Sequence, residues 1–146
     1  MARRRNAPVP SQNLQAFSGV PNTPQADGVI LPVAAYTAAT YTSNPYSNYN
    51  YRGLRLYFNV TNANGGTLTV TVQVQDPVSG TWVTDSSALE VSPGIVANGV
   101  TTMLIYPGVN EVANKDIGYP LGMIWRISAV VATATMTFGV SGEYLE

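Results

Sequence analysis

From Tyr51 onward the chain alternates between apolar and polar positions. Leu54, Leu56, Phe58 and Val60 are separated by Arg55, Tyr57 and Asn59. Leu68, Val70, Val72 and Val74 are separated by Thr69, Thr71 and Gln73. Successive side chains of an extended strand point to opposite faces, so each apolar set lines one face of a sheet. Between the two runs, Asn62-Ala63-Asn64-Gly65-Gly66 supplies residues that tolerate positive φ, and the spacing predicts a β-hairpin. Asp76-Pro77-Val78-Ser79-Gly80 is a second turn, and Thr81-Trp82-Val83-Thr84 begins the returning strand.

The same pattern extends outward. Val29 to Tyr36 reads as a first strand, which Pro32 confines to an edge or a bulge because proline has no N–H to donate. Residues 37–50 read as a loop rich in Thr, Ser, Asn and Tyr. Val100 to Tyr106 is a strand ended by Pro107-Gly108. Residues 109–120 form a loop with room for a short helical turn around Val112 to Asp116. Gly122 to Val131 is a strand around Trp125, Ile127 and Ala129. Thr133 to Leu145 is the last, with Ala134, Met136, Phe138 and Val140 on one face, and Ala132-Thr133 predicts a tight hairpin before it. Seven or eight short strands with frequent turn signals and no helical period predict an all-β fold. The expected architecture is an antiparallel β-sandwich over 28–146, jelly-roll-like or immunoglobulin-like, with a small closed barrel as second choice.

Residues 1–27 lack either period. Pro8, Pro10, Pro21 and Pro24 lie among Ser, Asn, Gln and Gly. Such a segment buries too little apolar surface to offset its ordering entropy alone. It reads as an extended, basic, Pro-rich arm that orders on a partner through Leu14, Phe17 and Val20, with a disordered tail as the plain alternative. Its tip, Arg3-Arg4-Arg5, holds three of the seven basic residues, leaving four bases against eight acids in the remainder. No apolar stretch follows the basic tip as a secretory leader requires, and no run is long enough to cross a bilayer as a helix. The expectation is a protein made in the cytoplasm with no membrane partner.

Charged residues are only 10% of the chain, so little of its surface repels a neighbour. A surface covered by partners and a solvent face that is merely Thr- and Asn-rich both fit. The catalytic inventory is thin. There is no cysteine and no histidine, which excludes thiolate chemistry and imidazole acid–base systems. Lys115 lies between Asn114 and Asp116 in a polar loop, as a solvated lysine does. None of the eight acids sits at a core-facing position, where burial would raise its pKa. Asp76 and Asp85 flank a hairpin, but a calcium site needs six or more oxygens. Asn62 to Gly66 lacks the lysine and helix of a phosphate cradle. No catalytic, cofactor or metal residue is expected.

Two features suggest binding. Arg3 to Arg5, with Arg55 and Tyr57 on one strand face, suggest nucleic acid, but the acidic body and the few bases weigh against it. Tyr36, Tyr41, Tyr46, Tyr49 and Tyr51 cluster in and beside one loop. Tyrosine rings stack on sugars, but they also favour protein interfaces and packing, which is the preferred reading.

Four segments carry a family resemblance. They are Tyr51-Arg52-Gly53-Leu54-Arg55-Leu56-Tyr57-Phe58-Asn59-Val60-Thr61, Leu68-Thr69-Val70-Thr71-Val72-Gln73-Val74-Gln75-Asp76-Pro77-Val78-Ser79-Gly80-Thr81-Trp82, and Leu104-Ile105-Tyr106-Pro107-Gly108-Val109 followed by Leu121-Gly122-Met123-Ile124-Trp125-Arg126-Ile127. Over about 50–145 the chain resembles small virion proteins of tailed phages, of the head-decoration or cement type. The resemblance implies a non-enzymatic protein on the capsid exterior, often trimeric, that binds the major capsid protein and stabilises its lattice. The partner-binding candidates are Arg3, Arg4, Arg5, Leu14, Phe17, Val20, Tyr41, Tyr46, Tyr49 and Tyr51. The alternative is a tail or fibre-associated sandwich that binds host-surface carbohydrate through the Tyr-rich loop.

Overall fold

The computed structural model describes residues 28–48, 51–84, 94–110, 112 and 116–146. The expected arm, with Arg3, Arg4, Arg5, Leu14, Phe17 and Val20, lies outside the described residues, as do Tyr49, Asp85 and Lys115. Ten strands occur among the described residues: β1 (Val29–Tyr36), β2 (Thr40–Thr42), β3 (Tyr46–Ser47), β4 (Gly53–Asn62), β5 (Thr67–Gln75), β6 (Trp82–Val83), β7 (Gly99–Ile105), β8 (Asp116–Ile117), β9 (Ile124–Ala132) and β10 (Met136–Leu145). One sheet has the order β1-β10-β4-β7-β8, and the other β2-β9-β5-β6 with β3 also paired to β9.

The pairings are nested. β1 pairs with β10, β2 and β3 with β9, β4 with β7, and β5 with β6, all antiparallel. One long hairpin, folded back on itself and rolled up, gives this order, which is that of a jelly roll rather than an immunoglobulin sandwich. β8 is an addition, two residues long and parallel to β7.

The alternation does what the sequence predicts. Leu54, Leu56, Phe58 and Val60 of β4 are buried, as are Leu68, Val70 and Val72 of β5. Trp125, Ile127, Ala129 and Val131 of β9 face Met136, Phe138, Val140 and Tyr144 of β10 in the same core. Each full burial of such a side chain contributes about 1.5–3 kcal/mol. β1 lies at a sheet edge, and its register with β10 slips on either side of Leu31, consistent with a bulge near Pro32.

Four expectations are corrected. First, β4 and β5 are not a hairpin; they lie in opposite sheets. The turn at 62–66 crosses the sandwich, with Asn64 at φ 50° and Gly65 at φ 75°. A β-carbon on Gly66 would lie 2.5 Å from Met136 Cγ of the facing sheet, so only glycine passes there without a shift. Second, β9 and β10 likewise lie in opposite sheets and are joined by a crossing rather than a hairpin. Third, the loop expected at 37–50 contains β2 and β3, both paired with β9. Fourth, Val112 and Asp116, the ends of the expected helical turn, exchange backbone hydrogen bonds as an antiparallel bridge, and 113–115 lie outside the described residues.

The second crossing carries strain. Thr133 sits at φ 78°, where a branched side chain crowds the backbone. Replacing Thr133 with asparagine, which tolerates this region, is expected to raise the free energy of unfolding by about 1 kcal/mol. Urea denaturation tests this; an unchanged or lower midpoint at equal slope counts against strain at this position.

Candidate functional site

The charged side chains of the described residues all lie at the surface or partly covered. Among the described residues no three acids come close enough to hold a metal ion. Asp76 is occupied by its own turn. Its carboxylate accepts hydrogen bonds from the Val78 and Ser79 amides and the Ser79 hydroxyl. Those bonds, that from Ser79 foremost, hold its pKa below the ordinary carboxylate value.

On the outer face of the first sheet, Arg55 pairs with Glu143 at 3.3 Å and the Tyr57 hydroxyl donates to the same carboxylate at 2.9 Å. The Arg55–Tyr57 platform considered for nucleic acid therefore has an acid at its centre, which repels phosphate. Both charged groups are well over a third exposed, so the pair contributes at most about 1 kcal/mol.

The described tyrosines of this stretch, Tyr36, Tyr41, Tyr46 and Tyr51, fall into two packing clusters instead of one presented row. Tyr46 is 8% exposed and stacks on Trp125, with ring centroids 5.0 Å apart. Tyr51 stacks on Tyr144 at 4.5 Å with planes 6° apart. The Trp125 indole N–H donates to the Tyr144 hydroxyl at 3.0 Å, which donates to the Ser47 carbonyl at 2.8 Å. In the other cluster Tyr41 meets Tyr36 edge-on at 4.8 Å, and Tyr36 lies against Phe138. Tyr46 is thus a core residue, with its ring stacked on Trp125. Tyr41 and Tyr51 are half-buried and keep only part of their rings available.

Two buried polar side chains fasten the segment around Tyr46. The Ser43 hydroxyl accepts from the Ile127 amide and donates to the Asn44 carbonyl. Asn48 donates to the carbonyls of Tyr51 and Leu121 and accepts from the Tyr51 amide. No sequence pattern singled these out; a serine or asparagine in a polar stretch is indistinguishable from its solvated neighbours until the tertiary partner is known.

Among the described strands, those of the second sheet carry the least charge. Register places Thr40, Val130 and Thr69 in one row, and Thr42, Ser128 and Thr71 in the next. The third row holds Arg126 opposite Gln73. Arg126 is the only charged residue that the strands of this sheet contribute. Its Nε donates to Gln73 Oε1 at 2.9 Å, and its Cζ lies 4.3 Å from the centre of the Trp82 ring. The side chain therefore reaches from β9 across β5 to β6. Alternation had placed the hydroxyl rows on one face, but Trp82 and Arg126 are brought together only by the strand order.

The fold and this surface define a jelly-roll β-sandwich with one nearly uncharged, hydroxyl-rich sheet face. Comparison with protein-family models and with curated proteins finds no match for the chain.

Proposed function

We propose that this is a non-enzymatic virion structural protein that binds the exterior of a tailed-phage capsid and stabilises the lattice of its major capsid protein. The observation that carries the reading is the outer face of the second sheet: β2, β9 and β5 present rows of threonine, serine and valine, and the five strands contribute a single charge. Charge depletion with an aromatic residue and an arginine is the composition of a protein interface. Jelly rolls recur in viral capsid domains and also in lectins, so the fold alone does not choose between partners. The sugar-binding alternative loses support because Tyr46 is in the core and one face of Tyr51 is covered by Tyr144.

A protein that binds only the assembled lattice stabilises it by mass action, by about 2.7 kcal/mol per site at one hundred times its dissociation constant. The arm at 1–27 adds reach to a neighbouring subunit, with Arg3 to Arg5 available to acidic patches. The purified chain is expected to cosediment saturably with expanded, DNA-free capsids and to raise their heat resistance. Deleting residues 1–27 is expected to weaken that binding at least tenfold. Absence of cosedimentation by the full chain removes the virion reading; full affinity after the deletion removes the arm from it. The mass of the free form tests the expected homo-oligomer.

A further inference from the structure

We infer that Arg126, held over the Trp82 ring, is the docking point for a carboxylate of the protein that covers the outer face of the second sheet. The inference deepens the virion reading by naming the chemistry of the contact, and it rests on that reading only for the partner's identity.

An arginine offers five N–H donors in a rigid planar fork. In Arg126 the Nε–H is committed to Gln73, and the Cζ lies over the Trp82 indole ring. No carboxylate of the described residues pairs with it; their one ion pair is Arg55–Glu143, on the other sheet. The terminal Nη groups therefore form a pre-positioned fork with no carboxylate partner among the described residues. Holding the group in place before binding lowers the entropy cost of docking.

Charge decides the class of ligand. A single guanidinium matches a single carboxylate, which it can clasp through two parallel hydrogen bonds. A nucleic-acid backbone needs several bases along its track, and the strands of this face supply none besides Arg126. Around the fork lie hydroxyl and methyl groups, which suit a close-packed protein surface. Once covered, the face leaves Arg126 out of water, so an unpaired guanidinium there opposes binding and the partner must bring the acid.

The test has two arms on the full chain. In the first, the Arg126 Nε–H and Trp82 indole N–H signals are followed by 15N NMR during titration with sodium acetate, sodium phosphate and sodium chloride at constant ionic strength. Acetate is expected to move both signals along a saturating curve at millimolar concentrations, with chloride giving no saturation. Arg126→Gln abolishes the Trp82 response, and Arg126→Lys, which keeps the charge without the fork, reduces it severalfold. Absence of saturation, or saturation by phosphate at tenfold lower concentration than acetate, overturns the carboxylate assignment.

In the second arm, Arg126→Gln is expected to weaken capsid cosedimentation at least tenfold, with the thermal midpoint of the free protein unchanged. Undiminished binding by Arg126→Gln overturns this proposal and leaves the virion reading standing. Failure of the unaltered protein to bind capsids overturns the virion reading, while the acetate titration still judges the fork.

Discussion

Replacing Trp125 with alanine is expected to lower the free energy of unfolding by about 3–5 kcal/mol. The residue is fully buried on β9 and touches both sheets. Its truncation removes the surface on which Tyr46 stacks and the donor that the Tyr144 hydroxyl accepts from. The Tyr144 hydroxyl loses one hydrogen bond while keeping that to the Ser47 carbonyl, and this loss adds to the cavity cost. Trp125→Phe separates the two contributions, since it keeps most of the packing and deletes the indole N–H. Urea unfolding, followed by far-ultraviolet circular dichroism so that the remaining Trp82 plays no part in the signal, provides the measurement. A loss below about 1 kcal/mol for the alanine variant contradicts the central role given to this ring.

The second large effect is a loss of stability in alkali. Burial pushes the Tyr144 hydroxyl up to about 12 from its ordinary value of 10, against the opposing hydrogen bond from Trp125; Tyr51 and Tyr46 push the same way as burial. Burial raises Tyr46 too. The neutral form is the one the fold accepts, so the folded state keeps a proton that the unfolded chain has already released. Between pH 10 and pH 12 the unfolded state binds fewer protons, and stability falls as pH rises. The stabilisation is complete below pH 10 and is lost by pH 12, amounting to about 2–3 kcal/mol for Tyr144. Urea midpoints measured at intervals from pH 8 to pH 12 are expected to stay level and then drop over that window. In Tyr144→Phe the starting stability is lower, and the drop is smaller because the titrating group is gone. An equal drop in both proteins assigns the alkaline loss elsewhere.

The outer face of the second sheet and the polar pins at Ser43 and Asn48 show two degrees of legibility. Thr67, Thr69 and Thr71 alternate with Leu68, Val70 and Val72, so an uncharged outer face was visible in the linear pattern. What sits at its rim was not, because Trp82 and Arg126 are distant in sequence and meet only across β5. The tyrosines mark the opposite case. Their clustering in sequence suggested a shared surface, while the fold turned Tyr46 and Tyr51 onto aromatic partners from β9 and β10.

The linear pattern by itself determined where the main strands run, which of their faces is apolar, and that charged side chains stay out of the core. Each of these follows from a period of two, which is a local property of extended chain. Only the tertiary structure decided which strand pairs with which. An amphipathic strand buries its apolar face equally well beside its sequence neighbour or across from it in the facing sheet, so β4 and β5 looked like a hairpin and are instead a crossing. The choice rests on contacts between residues far apart in the chain, and the same contacts placed Trp82 under Arg126.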